Sequence, residues 1–326
     1  MKIFVCEFIT GGGLAGQDLP RTLAREGDMM LQAVLKDLVD AGCAELITTR
    51  DHRVSNEING VNVVVIHDSP MDTWGKLVAD NDAVLVIAPE TGDALLELTH
   101  LAASAGCKLL GCEPESIEAT GSKRQCNRLL REAGVPVPGT YDPETLPDRL
   151  DQPLIMKPDK GAGSDGIHFL DVDTDKRDCL SLYENGEEWI IEAFTGGVPA
   201  SLTLYCNSGM ARILAVNRQL FRFDKGRGQF NGVVVNEFFD RHREMQPLAN
   251  RILETFPGLH GYVGVDLVLT DKEAVVIEVN PRLTTAYAGL RRSLGYNPGQ
   301  FFLNQQDADI PDPMTYTPVR IALDDD

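Results

Sequence analysis

Over roughly the first hundred positions, short apolar runs alternate with stretches whose apolar residues recur at helical spacing. This is the pattern of βαβ units and a mostly parallel sheet. A strand is expected over 2–8, ending in Thr10-Gly11-Gly12-Gly13. That glycine triplet either presents N–H groups to a substrate carboxylate or makes a tight turn. Met30, Leu31, Val34, Leu35, Leu38 and Val39 define one helix face before Gly42, a stop signal. Strands follow over 45–49, 61–67, 83–88 and 108–110. Leu95, Leu98, Leu101 and Ala102 mark a helix ended by Gly106.

After a helix over 122–133, Gly134-Val135-Pro136-Val137-Pro138 forces an extended segment, and the texture changes. Strands are expected over 154–157, 167–170, 189–193, 201–206, 213–219, 233–238, 264–269 and 274–279, with helices only over 176–183 and 241–256. Runs of strands with helices to one side predict an α+β unit after the first α/β unit. The domain expectation is therefore 1–111, then 112–308 in two lobes (112–190 and 191–308), then a tail over 309–326 that ends in three solvated aspartates.

Composition narrows the function. In 326 residues, 30 Lys+Arg against 49 Asp+Glu give a net charge of −19, which disfavours nucleic acid as the main partner. No apolar run reaches the ~18 residues of a membrane span, and the N-terminus lacks a secretory pattern. The expectations are thus no nucleic acid, no membrane and a cytoplasmic location. Seven cysteines without a C-x-x-C pair argue against a disulfide framework or a zinc site, and the six histidines lack ligand spacing.

Two segments carry chemistry. Lys157 closes a predicted strand just before Gly161-Ala162-Gly163-Ser164-Asp165-Gly166, so ammonium and loop N–H groups form a flap suited to phosphates, although the same loop could be merely solvated. Near the C-terminus, 264–269 and 274–280 read as a hairpin. It sets Asp266 beside Glu278 and Asn280 on one face, because strand side chains alternate. Two carboxylates and an amide oxygen suit Mg²⁺, which usually shares its shell with substrate phosphates.

In order, Lys123, Lys157, the glycine loop, the exit of the Glu192 strand, Asp266 and Glu278-x-Asn280 resemble the ATP-grasp superfamily of carboxylate-amine ligases. The resemblance covers the whole chain. It implies a parallel-sheet pre-ATP-grasp domain followed by a two-lobed ATP-grasp module, with ATP and Mg²⁺ (Mn²⁺ substituting) as cofactors. It further implies that Lys123 and Lys157 bind phosphates, and that Gly161, Gly163, Ser164 and Gly166 belong to a lid over the triphosphate. Glu192, Ala193 and Phe194 correspond to a hinge that reads adenine through backbone groups, Asp266, Glu278 and Asn280 to the metal ligands, and Arg282 to an arginine near the transferred phosphate. Lys157 and Arg282 are thus the catalytic candidates. One departure is Pro199, where a glutamate often binds the ribose.

The stretches 7–13, 88–92, 196–201 and 278–285 resemble the tyramine-glutamate ligases of methanofuran biosynthesis most closely. That resemblance implies L-glutamate and an aromatic amine as small-molecule partners, and it is compatible with a homodimer. D-Alanine-D-alanine ligases fit less well. They carry an arginine two residues before the metal-binding Asp, where Gly264 stands here, and a T-x-P-G-type loop where this chain has 281–285. A non-catalytic nucleotide-binding regulator is the alternative from another class. For substrate contacts, Asn217-Arg218-Gln219 and the arginine- and phenylalanine-rich loop 221–232 form either a pocket for a carboxylate and a ring or a solvated hairpin. Arg291 and Arg292 read as a helix surface.

Overall fold

The computed structural model describes residues 1–55, 57–161, 163, 166–181, 188–303 and 316–323. Its first unit contains β1 (Lys2–Glu7), α1 (Arg21–Asp40), β2 (Glu45–Asp51), β3 (Asn62–Ile66), α2 (Met71–Asp80), β4 (Ala83–Ile87), α3 (Ala94–Ser104) and β5 (Lys108–Leu109). The strands form one parallel sheet in the order β3-β2-β1-β4-β5. β1 and β4 are apolar on both faces because helices cover both. Ile3 and Val5 pack with Leu31, Val34 and Leu35 of α1, whereas Phe4 and Cys6 pack with Trp74, Val78 and Leu95 on the opposite side.

Helices α4 (Pro114–Gly121) and α5 (Lys123–Glu132) lead into β6 (Thr140–Tyr141), β7 (Leu154–Pro158), β8 (His168–Leu170), α6 (Lys176–Ser181) and β9 (Trp189–Ala193). Then come β10 (Val198–Asn207), β11 (Met210–Asp224), β12 (Arg227–Val235), α7 (His242–Thr255), β13 (Gly261–Leu269) and β14 (Ala274–Asn280), and finally α8 (Tyr287–Leu294), α9 (Gln300–Leu303) and β15 (Val319–Ala322). The strands make an antiparallel sheet ordered β14-β13-β10-β11-β12-β8-β7-β9-β6, with β15 added to β12. Leu202 and Leu204 share a core with Ile252 of α7 and with α3 of the first unit, so the two sheets are bound by common apolar clusters. A small separate core of Leu154, Met156, Trp189 and Ile191 holds the β7–β9 lobe.

Three expectations need correction. The predicted loop 221–232 is the end of β11 and most of β12, turning at Lys225-Gly226, because both residues take positive φ there. Part of the predicted tail is β15, whose Val319 and Ile321 are buried while Arg320 and Ala322 are exposed. Helices α2 and α4 escape the apolar pattern. Only Trp74 and Val78 of α2 are buried, and α4 buries Ser116 and Thr120 around a single Ile117. The three terminal aspartates lie outside the described residues. Among the described residues, no helix is long and apolar enough to cross a membrane, and all seven cysteines are free thiols.

Candidate active site

A cavity of about 420 Å³ opens between β7, β9, β10, β11, β13, β14 and the first turns of α1 and α5. Helix α5 is started by two caps. Ser122 Oγ accepts from the Gln125 N–H (3.1 Å), and Asp159 Oδ1 accepts from the Arg124 N–H (2.7 Å). This fixes Lys123 at the first helical position, where its Nζ lies 3.0 Å from Glu278 Oε1 and donates to Gly161 O (2.8 Å). On β7 the inward-facing Lys157 is buried and pairs with Glu192 Oε2 of neighbouring β9 at 2.8 Å. Asn127 of α5 donates to the other Glu192 oxygen. Burial opposes the Lys157 charge, but Glu192 and then Glu278 outweigh it and hold the ammonium above its ordinary value.

Opposite the lysines, β13 and β14 pair Asp266 with Glu278 and Gly264 with Asn280. Asp266 Oδ1 accepts from Gln219 Nε2 (2.7 Å), and Oδ2 accepts from Asn280 Nδ2 (3.2 Å). Two amides leave its negative charge unmatched. Burial, followed by the charge of Glu278, pushes Asp266 up to about 7. A divalent cation fits this set, since it would remove the like-charge repulsion between two adjacent carboxylates. Among the described residues no group of three His, Cys, Asp or Glu is placed to hold a metal, so phosphate oxygens and water would complete the shell.

Just past β14, Arg282 lies in the cavity wall, with Nε and Nη2 donating to the two oxygens of Glu90 at 2.9 and 3.0 Å. This fork-to-fork pair clamps a guanidinium from the second unit onto the loop after β4 of the first. Burial works against the Arg282 charge, and Glu90, helped by Glu26 and Glu278, more than offsets it.

An ATP-grasp domain matches residues 120–286, half of the chain, and a pre-ATP-grasp domain matches 44–117. The chain belongs to the ATP-grasp ligase family. It is 27% identical over 280 residues to a tyramine-L-glutamate ligase of Methanocaldococcus jannaschii, covering 83% of this chain and 80% of that one. The enzyme of the same name from Methanocaldococcus fervens is 26% identical over 278 residues, covering 82% and 84%. The crystal structure of an ATP-grasp superfamily protein from Archaeoglobus fulgidus superposes with a TM-score of 0.71 at 28% identity, covering 93% of this chain and 88% of that one.

Of the expected site residues, Lys123, Lys157, Gly161, Gly163, Glu192, Ala193, Phe194, Asp266, Glu278, Asn280 and Arg282 all line this cavity. Gly166 does not. Its φ of +73° and the 2.8 Å between a would-be Cβ and the Pro158 ring make its glycine a backbone requirement. Ser164 lies outside the described residues. In the hinge stretch, the Ala193 N–H donates to Gly139 O (2.8 Å) and the Phe194 N–H to Pro153 O (3.1 Å), so a reading of adenine there would fall to backbone carbonyls. Phe194 also contributes its ring, edge-on to Phe169 with centroids 5.1 Å apart.

Further residues separate into site and scaffold. Phe221, Arg222, Phe223 and Phe230 line the cavity, whereas Asn217 is fully buried and tied to Ser201, Thr203 and the Asn236 N–H. The 11–13 triplet forms a buried tight turn packed on Phe8, Thr49 and Ile66, away from the cavity. Arg291 bridges Asp37 and Asp40 of α1. Gly264 makes room for Thr284, whose methyl would lie 2.5 Å from a Cβ there, so the arginine of the D-alanine ligase pattern has no space. Sequence reasoning missed Gln219 as the partner of Asp266, Glu90 as the partner of Arg282, and Glu26 in the cavity wall. The 88–92 stretch was a partial signal for the second of these.

Proposed function

We propose that this protein is an ATP-dependent ligase that joins the γ-carboxylate of L-glutamate to an amine such as tyramine and releases ADP and phosphate, a reaction of methanofuran-type cofactor synthesis. The observation that carries the reading is the convergence of two lysines, an arginine and two adjacent carboxylates on one cavity. Carboxylates resist amines, because their charge repels the nucleophile and oxide leaves poorly. Phosphorylation removes both obstacles. A γ-carboxylate oxygen attacks the terminal phosphorus of ATP, the bond to the ADP oxygen breaks, and an acyl phosphate results. The deprotonated amine then attacks the acyl carbon, phosphate departs and an amide remains.

Each protein group has a place in that scheme. Lys157 and Lys123 hold phosphate oxygens, exchanging part of their present pairing with Glu192 and Glu278 for the substrate's charge. Asp266, Glu278 and Asn280 would hold Mg²⁺, or Mn²⁺ in its stead, whose charge offsets that on the phosphates. Arg282, aimed by Glu90, stabilises charge spreading over the transferring group. Phe194, Phe221 and Phe223 supply apolar wall to bury a ring, each such burial contributing on the order of 2–3 kcal/mol.

The test is ADP formation with ATP, Mg²⁺ and L-glutamate, adding tyramine, tyrosine, D-alanine, ammonia and simple alkylamines in turn. Tyramine should exceed ethylamine by about thirtyfold or more in kcat/KM. Mass spectrometry should then find one amide joining glutamate and amine. ADP formation with D-alanine alone, or with no acid and amine pair, rejects this substrate assignment.

A further inference from the structure

Apart from Asp266 in the cation set, one carboxylate of the cavity wall has no ion pair among the described residues. Lys123 pairs with Glu278, Lys157 with Glu192 and Arg282 with Glu90. Asp266 stands with Glu278 in the set suited to a divalent cation. Glu26, half-buried in the first turns of α1, lines the same cavity and makes no ion pair among the described residues. It is nonetheless held in place. The Thr285 hydroxyl, just past β14, donates to Glu26 Oε1, and the Glu26 charge reaches Arg282.

The approach of α1 is built for this. Next to Glu26, Gly27 packs so closely on the end of β1 that a Cβ would lie 2.5 Å from Glu7 Oε1. A bulkier residue would push the helix, and Glu26 with it, out of the wall. A fixed anion would repel ATP phosphates and a substrate carboxylate alike, so it is costly in this cavity unless a cation docks there.

Resting on the ligase reading above, we infer that Glu26 is the specificity residue that recognises an organic ammonium, with Thr285 fixing Oε1 and Oε2 left to accept the ammonium hydrogen bond. Two substrate groups share that chemistry: the α-ammonium of the amino acid, and the amine before it gives up its proton. Neutral or acidic compounds of the same shape lack the cation and should be discriminated against.

Glu26→Gln keeps the shape and the Thr285 contact while removing the charge. Its melting temperature and its KM for ATP should match wild type. If the amino acid docks there, KM for L-glutamate rises tenfold or more and the wild-type preference for L-glutamate over glutarate disappears. If the amine docks there, KM for tyramine rises by that factor and KM for L-glutamate stays put. Unchanged KM values for both substrates overturn the inference. Calorimetry separates this from failure of the ligase reading. Should wild type release no ADP, L-glutamate or tyramine must still bind the Gln variant at least tenfold more weakly than wild type, and equal affinities for both overturn the Glu26 assignment.

Discussion

Two groups of carboxylates in this molecule are held in opposite ways. At the end of β1, Glu7 is almost fully buried but answered by its own chain. Its oxygens accept from the Ile9 N–H (3.0 Å), the Thr10 N–H (2.6 Å) and the Thr10 hydroxyl, which Arg50 Nη1 in turn contacts at 2.9 Å. Burial still raises Glu7 above the ordinary carboxylate range, with those hydrogen bonds pulling the other way. On β13 and β14, Asp266 faces a second carboxylate and receives only amide hydrogens, while Glu278 depends on Lys123. The first arrangement is complete without any ligand. The second is short of positive charge, and a site that must bind a cation and then phosphate gains from that shortage.

The contrast breaks most sharply if Glu278→Gln is harmless. We expect a loss of about a hundredfold or more in ADP release at saturating ATP and Mg²⁺, with the protein still folded, since the substitution removes an anionic oxygen from both the cation set and the Lys123 pair. Near-normal turnover would place Glu278 with Glu7, among the structural carboxylates.

Lys157→Ala comes next. Charged hydrogen bonds to phosphate are commonly worth ~1.5–3 kcal/mol, so KM for ATP or kcat should worsen by roughly ten- to over a hundredfold. The control is Lys176→Ala, because Lys176 only donates to the Glu144 and Leu146 carbonyls outside the cavity. Equal effects from the two lysines would remove Lys157 from the site.

Glu7→Gln tests the other side of the comparison. A Gln amide would set its NH₂ against the Ile9 or Thr10 N–H, costing about 1–3 kcal/mol of stability. Thermal melting should shift down while KM for ATP stays unchanged. A changed KM with unchanged melting would reverse the assignment.

The smallest effect concerns pH. With a native value of about 7 for Asp266 against ~3.9 for a free aspartate, the folded state keeps a proton that the unfolded chain releases. The stability this contributes is full below about pH 4 and is lost as pH rises through 7. In EDTA, the melting temperature of wild type should therefore fall from pH 5 to pH 8 more than that of Asp266→Asn. Mg²⁺ at pH 8 should raise wild type and leave the variant unmoved. Parallel profiles for the two proteins, with or without Mg²⁺, would remove the charge shortage from Asp266.

The sequence by itself determined the parallel-sheet unit, the run of strands after it and the β13–β14 hairpin that carries Asp266, Glu278 and Asn280. These rest on local rules: apolar runs in β1 and β4, and two apolar strands joined by a four-residue connection. That connection alone would set Asp266 opposite Ile277, and an irregularity in the pairing between Asp266 and Leu267 moves it opposite Glu278. The apolar pattern was blind to α4, whose buried face is polar, and to the 221–232 hairpin, whose side chains are neither cleanly apolar nor alternating. Only the tertiary structure decided which charges meet. Arg282 and Glu90 are 192 residues apart, Thr285 and Glu26 are 259 apart, and Gln219 of β11 reaches Asp266 of β13 across the intervening β10. Pairing at that separation depends on how two sheets dock through a shared apolar core, a property of packing that no local pattern of residues encodes.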